Sequence, residues 1–274
     1  MIARRFLLRA AILLLATAAA AAHPALAQVR TLDQVLSAKK LLVGVNPTLP
    51  PLASYDDKNE IVGYDVDIAT RLAKMLGVDI ELVKVGSPDR VPFVASGRVD
   101  IVMGALTRTP DRAKVIDFTV PIQTEALSVL TTEAKPYTTW KDLAGADVRL
   151  VQVRGTTPVD FIKANLPQAQ VLLLDNYPDA VRALAQGRAD AMIDVVDYLG
   201  NFMKTYSVNW KVLKEPVGGD VDYDCIGVAK GNATLKDWLN VALYSLGQSG
   251  FLSETYKKWF GIEMVVPVVP NPYF

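Results

Sequence analysis

Three stretches of the chain bring together residue types able to grip a small charged solute. Gly104-Ala105-Leu106-Thr107-Arg108-Thr109-Pro110-Asp111-Arg112 directly follows an apolar run that ends at Met103. Backbone amides, hydroxyls and an arginine fork at the mouth of a strand suit a carboxylate, which a guanidinium holds through two parallel hydrogen bonds. Arg112 is the candidate for that grip. Arg108 fits a solvated neighbour equally well, and spacing alone also allows two surface arginines in a capping turn. The second stretch is Arg154-Gly155-Thr156-Thr157-Pro158. Gly155 permits a tight turn, Thr157 fits an N-cap and Pro158 the first helical position. Free amides and the hydroxyls of Thr156 and Thr157 would then face an anion, although a plain capped helix has the same pattern. The third stretch, Asp190-Ala191-Met192-Ile193-Asp194-Val195-Val196-Asp197, offers carboxylates for an ammonium group. Asp190 suits a turn into the strand and Asp197 the start of the next helix. That leaves Asp194 as the ligand candidate, or as an ordinary strand-end acid.

Composition narrows the chemistry further. Arg4, Arg5 and Arg9 precede an apolar run from Ala10 to Ala22, and Pro24 and Ala25-Leu26-Ala27 follow it. This is the pattern of a secretory signal cleaved before Gln28, with Arg4-Arg5 hinting at a twin-arginine route. The run is too short for a membrane anchor, which needs ~20 apolar residues. Removing residues 1–27 takes away the single histidine, His23, and three of the 29 basic residues but none of the 29 acidic ones. A mildly acidic exported chain without histidine and with one thiol excludes a histidine-dependent triad, a His/Cys zinc site and an intrachain disulfide. It also argues against a nucleic-acid partner. No metal or cofactor is expected, and Cys225 reads as a small buried core thiol.

The elements that would position these residues alternate between strand and helix. Leu41–Val45, Ile80–Val85 and Asp100–Met103 read as buried strands, separated by helices over Asp65–Leu76 and Val91–Ser96. A second block repeats the order: strands Val148–Val153, Gln170–Leu174 and Ala191–Val195, with helices Pro158–Asn165 and Pro178–Gln186 between them. Ala126–Leu130 and Cys225–Ala229 read as further extended runs, Trp140–Ala144 as a helical turn, and Ala233–Ser249 and Gly250–Phe260 as closing helices. Such β-α-β repeats predict an α/β fold of two lobes with a ligand between them, at the carboxyl ends of strands. The two arginine-threonine stretches would face each other as halves of one clamp. Leu49-Pro50-Pro51-Leu52 fits a wall of the site or core filling, and Asp65 and Asp67 suit the start of a helix.

Taken in order, several of these segments resemble the family 3 solute receptors of polar amino-acid uptake. The resemblance spans about residues 31–262. It rests on Gly63-Tyr64-Asp65-Val66-Asp67-Ile68-Ala69, Arg90-Val91-Pro92, Ser96-Gly97-Arg98-Val99-Asp100, Thr107 to Arg112, Gly155-Thr156-Thr157, Gly187-Arg188-Ala189-Asp190-Ala191 and Lys257-Lys258-Trp259-Phe260-Gly261. It implies a hinged, monomeric periplasmic receptor of type II fold that closes on a carboxylate-bearing solute and hands it to an ATP-binding cassette (ABC) permease. By the same resemblance, Arg112 grips the carboxylate with help from Ala105, Thr107 and Thr157. Lobe 1 would comprise residues 28–122 and 218–274, and lobe 2 residues 123–217. The chain departs from the family's pattern where the ligand's amine is usually held. The expected aspartate falls on Val195, with Asp194 one residue early and hence on the opposite face of a strand. Leu49 stands for a stacking aromatic and Asn46 for an acid. The ligand is therefore expected to be an amino acid or a derivative, with an altered amine contact. The alternative is a cyclohexadienyl-dehydratase-like enzyme on the same fold, which would need cleft acids such as Asp194, Asp222 or Asp224; the sequence shows no distinctive acid pair.

Overall fold

The computed structural model describes residues 28–269 and Asn271. The export segment, residues 1–27, lies outside the described residues. The chain opens with α1 (Leu32–Ala38), capped by a reciprocal Thr31/Gln34 box, and enters β1 (Lys40–Val45). A small hairpin of β2 (Ser54–Tyr55) and β3 (Ile61–Val62) precedes α2 (Tyr64–Leu76), which Gly77 ends in the left-handed conformation. There follow β4 (Asp79–Lys84), α3 (Arg90–Ala95), β5 (Ile101–Val102) and α4 (Pro110–Ala113). β4 and β5 both pair with β1 in parallel, as the β-α-β reading predicts.

Two strands are much longer than the sequence suggests. β6 runs over Ile116–Thr132 and β11 over Val217–Ala229, antiparallel to one another and with register shifts along their pairing. The first part of β6 joins β11, which in turn pairs with β5. Its far part pairs with β9 (Met192–Val195) and β10 (Trp210–Val212). These strands therefore run from one lobe into the other. β7 (Arg149–Val153) and β8 (Gln170–Leu174) are parallel, and a bridge from Leu150 to Ala191 ties β7 to the approach of β9. α5 (Thr157–Asn165), α6 (Tyr177–Ala185) and α7 (Val196–Met203) complete that lobe. α8 (Ala233–Gln248) and α9 (Phe251–Phe260) close the chain. Tyr256 and Phe260 of α9 stack at 4.0 Å, and both meet Tyr64 of α2 edge-on.

Packing follows the apolar pattern. Leu41, Val43 and Val45 on β1 are fully buried with Ile68 and Leu72 of α2, while Val85, Val94, Val102, Leu106 and Ile116 form a separate cluster. Gly227 on β11 permits a close approach there, because a Cβ would lie 2.6 Å from Leu106 Cδ2. Asp190 acts as a pin rather than a ligand. Its carboxylate accepts from the backbone amide and guanidinium of Arg149 and from Lys135, while its carbonyl accepts from Thr131. Burial pushes this carboxyl up, but the hydrogen bonds from Arg149 and Lys135 outweigh it and hold the group well below the usual carboxylate range.

A group whose pKa is depressed on folding stabilises above its unfolded pKa and loses that contribution as pH falls towards the folded value. Asp190→Asn is thus expected to lower unfolding free energy by about 1–2 kcal/mol at pH 7. The deficit should shrink below about pH 4, where the unfolded carboxylate is protonated. Urea unfolding of both proteins at pH 7 and pH 3.5 measures the difference.

Candidate functional site

The loop from Gly104 to Thr107 leaves β5 under restraint from beneath. Gly104 and Ala105 both adopt positive φ, 91° and 54°, so successive peptide groups turn sharply. Two buried charged side chains fix the turn. Asp65, at the start of α2, accepts from the Gly104 amide at 2.8 Å. Arg90, the first residue of α3, donates to the carbonyls of Gly104 and Ala105. Arg90 also donates to Ser87 O at 3.1 Å and to Gly155 O at 2.9 Å. Only 2 % of Arg90 is exposed, so a guanidinium is fully removed from water and satisfied by carbonyls instead of a carboxylate. With the carbonyls drawn down onto Arg90, the Ala105 amide forms no hydrogen bond among the described residues.

Arg112 lies across the same turn. Thr109 caps α4 by accepting from the Arg112 amide, and the Arg112 guanidinium donates to Thr107 O at 2.6 Å and to Gly155 O at 2.9 Å. Two arginines thus converge on one carbonyl that belongs to the β7–α5 turn of the other lobe. Burial, and then the repulsion of Arg90, lower the Arg112 pKa to about 10. It stays charged at neutral pH, in a place that disfavours its charge. Gly155 has φ +75°, and a Cβ on it would come within 2.7 Å of Pro88 Cα. The lobes therefore touch through backbone, and only a glycine fits the contact.

Beneath the arginines is a set of buried acids. Thr107 Oγ1 donates to Glu125 Oε1 at 2.6 Å, and Asp224 Oδ2 accepts from Gln123 Nε2 at 2.8 Å. Burial and the facing Asp224 push Glu125 well above the ordinary glutamate value, and burial raises Asp224 as well. Burial likewise raises Asp65 to about 8, against the hydrogen bond from Gly104. Glu125 and Asp224 stand on β6 and β11, the crossing strands. The structure supplies an acid pair where the sequence offered only isolated acids, because its members are ninety-nine positions apart.

The candidates separate into two groups. Arg112, Ala105, Thr107, Thr156 and Thr157 gather around Arg90 and Gly155. Asn46 stands beside Gly104 and donates to Ser87 Oγ at 3.2 Å. Leu49 is fully buried in the apolar core, bridged to Ala53. Asp194 is also buried, opposite Ser128 in the sheet; its Oδ1 accepts from the Val195 amide at 2.7 Å, and burial raises it to about 7. Neither Leu49 nor Asp194 hydrogen-bonds to the arginine cluster. Thr157 is not the N-cap. Thr156 holds that position, Thr157 begins α5 and Pro158 is second. The Thr156 hydroxyl donates back to Val153 O at 2.7 Å rather than capping. The turn is one residue tighter than expected because the positive φ of Gly155 ends β7 abruptly. The Thr157 amide, as a first-turn donor, has no intrahelical acceptor.

Sequence reasoning missed the role of Arg90 and of the Glu125–Asp224 pair. For Arg90 the available signal was an arginine directly before the apolar face of a short helix. For Glu125 it was an acid inside a run otherwise reading as buried strand. Asp65, read as a helix-start charge, faces inward to hold the Gly104 loop. Asp67 accepts from Trp259 Nε1 at 2.7 Å and so pins α9 to α2.

Known proteins are similar to this chain in sequence and in overall fold. The ABC transporter arginine-binding protein 1 of Escherichia coli (strain K12) is 28% identical over 227 residues, covering 82% of this chain and 92% of that protein. The solute receptor for L-cysteine of Neisseria gonorrhoeae superposes with a TM-score of 0.78 at 31% identity, over 84% of this chain and 93% of that one. The ancestral amino acid-binding protein AncCDT-1, a precursor of cyclohexadienyl dehydratase, superposes with a TM-score of 0.77 at 30% identity, over 84% and 99%. Residues 41–262 match the family described as bacterial extracellular solute-binding proteins, family 3. With its two lobes joined by β6 and β11 and its arginine-lined turn between them, this chain belongs to that family.

Proposed function

We propose that the protein is an exported, monomeric receptor that closes on an amino acid or a derivative and presents it, unchanged, to an ABC permease of the inner membrane. The observation that carries this reading is the convergence of Arg90 and Arg112 on Gly155 O, with no carboxylate accepting from either guanidinium among the described residues. A buried cation and a half-buried one sharing a neutral acceptor call for an anion. A ligand carboxylate would take the Arg112 fork, the Ala105 amide and the amides at the start of α5, where the helix dipole also favours negative charge. Arg90 acts one step behind, by holding the loop. Asn46 braces that loop, while Leu49 and Asp194 stand outside the clamp. The ligands in the names of similar proteins, arginine and L-cysteine, are α-amino acids, which fits this chemistry.

The lobes divide at the crossing strands, with residues 28–122 and 218–274 on one side and 123–217 on the other. Closure then carries Gly155 onto Ser87 and Pro88. The acid pair on β6 and β11 also suits general acid chemistry, which keeps the dehydratase reading testable. Mass analysis after incubation with prephenate or arogenate should return both compounds unaltered, and a dehydrated product would replace the receptor reading with an enzyme.

Two variants probe the clamp in calorimetric titrations against the common L-amino acids and simple carboxylates. Arg112→Ala should weaken the tightest ligand on the order of 30- to 1,000-fold, because it removes a charged partner from a desolvated contact. Gly155→Ala should weaken binding by at least about tenfold, with the larger share in the dissociation rate, because a Cβ blocks the closed contact. Wild-type affinity in both variants would overturn the placement of the site.

A further inference from the structure

We propose that Glu125 and Asp224, facing one another from the two crossing strands beneath Thr107, form the subsite that takes the positively charged amino group of the ligand. This rests on the receptor reading above and names the second half of its site. Gln123 stands directly opposite Asp224 in the β6–β11 pairing, and Glu125 opposite Asp222. Side chains two apart on a strand share a face, so Gln123, Glu125, Asp222 and Asp224 project together. Gln123, Glu125 and Asp224 are each at most 3 % exposed.

The hydrogen-bond inventory of the pair is incomplete in one direction. Glu125 Oε1 accepts from Thr107, and Asp224 Oδ2 from Gln123 and, at 3.5 Å, from Tyr198. Glu125 Oε2, Asp224 Oδ1 and Gln123 Oε1 are buried without a partner. Without ligand the two carboxyls can satisfy each other only by holding a proton between them, and Gln123 Oε1 stays unmatched; a primary ammonium carries three donors and can replace that proton. The donors already present are neutral hydroxyls and an amide, so the negative charge of the pair has no hydrogen-bonded cation. Position supports the same assignment. Thr107 gives its carbonyl to Arg112 and its hydroxyl to Glu125, so the carboxylate grip and the acid pair are one residue apart. An α-amino acid carries its two charges on neighbouring carbons, which is the spacing that such a residue spans. Chain topology adds a consequence: a cation held between β6 and β11 ties together the two segments on which the hinge bends.

The surroundings decide the charge state before ligand arrives. Tyr64 and Asp65 of α2, Tyr177 of α6, Tyr198 of α7 and Asp222 of β11 add acidic or neutral groups, while Arg90 and Arg112 add positive charge. Burial raises both carboxyls, which favours a proton held between them before ligand arrives. An arriving ammonium replaces it, and binding releases a proton to the buffer.

The experiment is calorimetric titration of the full chain at pH 7, in phosphate and in Tris, with the common L-amino acids and the des-amino analogue of the tightest one. The wild type should favour the amino acid over its des-amino analogue and release a proton on binding it. Glu125→Gln and Asp224→Asn should each weaken the amino acid on the order of 30- to 1,000-fold. Both should bind the des-amino analogue as the wild type does. Thermal melts report whether the variants fold, and the proton count in the wild type does not depend on them. If Arg112→Ala abolishes binding while both acid variants keep wild-type affinity, the carboxylate clamp stands and the acid subsite is overturned. Equal wild-type affinity for amino acid and des-amino analogue, or no proton release in either buffer, overturns it too. Failure of every amino acid and carboxylate to bind overturns both the receptor reading and this one.

Discussion

A guanidinium without a carboxylate partner organises this molecule. Burying the Arg90 charge costs several kcal/mol, and nothing of opposite charge sits on its hydrogen bonds to offset it. Four carbonyls do so instead, those of Ser87, Gly104, Ala105 and Gly155. Each charge-assisted bond contributes about 1.5–3 kcal/mol, enough together to make the arrangement viable. The geometry this demands propagates outward. Gly104 and Ala105 turn their carbonyls inward with positive φ; the Gly104 amide is then taken by Asp65, and the Ala105 amide is left without a hydrogen bond among the described residues. The fourth carbonyl comes from the opposite lobe, so the charge of Arg90 is fully satisfied only when the lobes meet.

Arg112 repeats this dependence at the mouth of the site. It shares Gly155 O with Arg90, and burial, then the like charge of Arg90, lower its pKa. Cations held close together by backbone geometry, and not by acids, are primed for an anion that arrives from solution. A permanent carboxylate between them would remove that driving force. The acids instead lie one layer deeper, where burial raises both Glu125 and Asp224 and the charge of Asp224 raises Glu125 further. Positive charge thus lies at the rim and buried carboxyls beneath it, the distribution on which the proposed orientation of the ligand rests.

The crossing strands show how the fold makes this layering possible. β6 is seventeen residues long because it serves both lobes, pairing with β11 at one end and with β9 and β10 at the other. Residues midway along it are covered by both lobes at once. Gln123, Thr124 and Glu125 are buried for that reason, although their types belong to a surface. The tail adds cover, since Thr124 Oγ1 donates to Val266 O at 2.6 Å.

Much of this was present in the chain itself. Apolar runs at Leu41–Val45 and Gln170–Leu174, glycine stops at Gly77 and Gly187, and the helical period of Asp65–Leu76 mark elements through local physics, and the structure shows them within a residue or so. The strand mouth before Arg112 and the helix start at Thr156-Thr157 were legible to within a residue for the same reason, because both are local signals, although the N-cap is Thr156 and not Thr157. What depends on contact between distant segments was not legible. β6 looked short because Gln123, Thr124 and Glu125 break the apolar pattern, although all three are buried. Arg90 carried no mark of burial, since its four acceptors come from three separate parts of the chain. Glu125 and Asp224 became a pair only when β6 and β11 lay side by side, and pairing of strands is decided by tertiary structure.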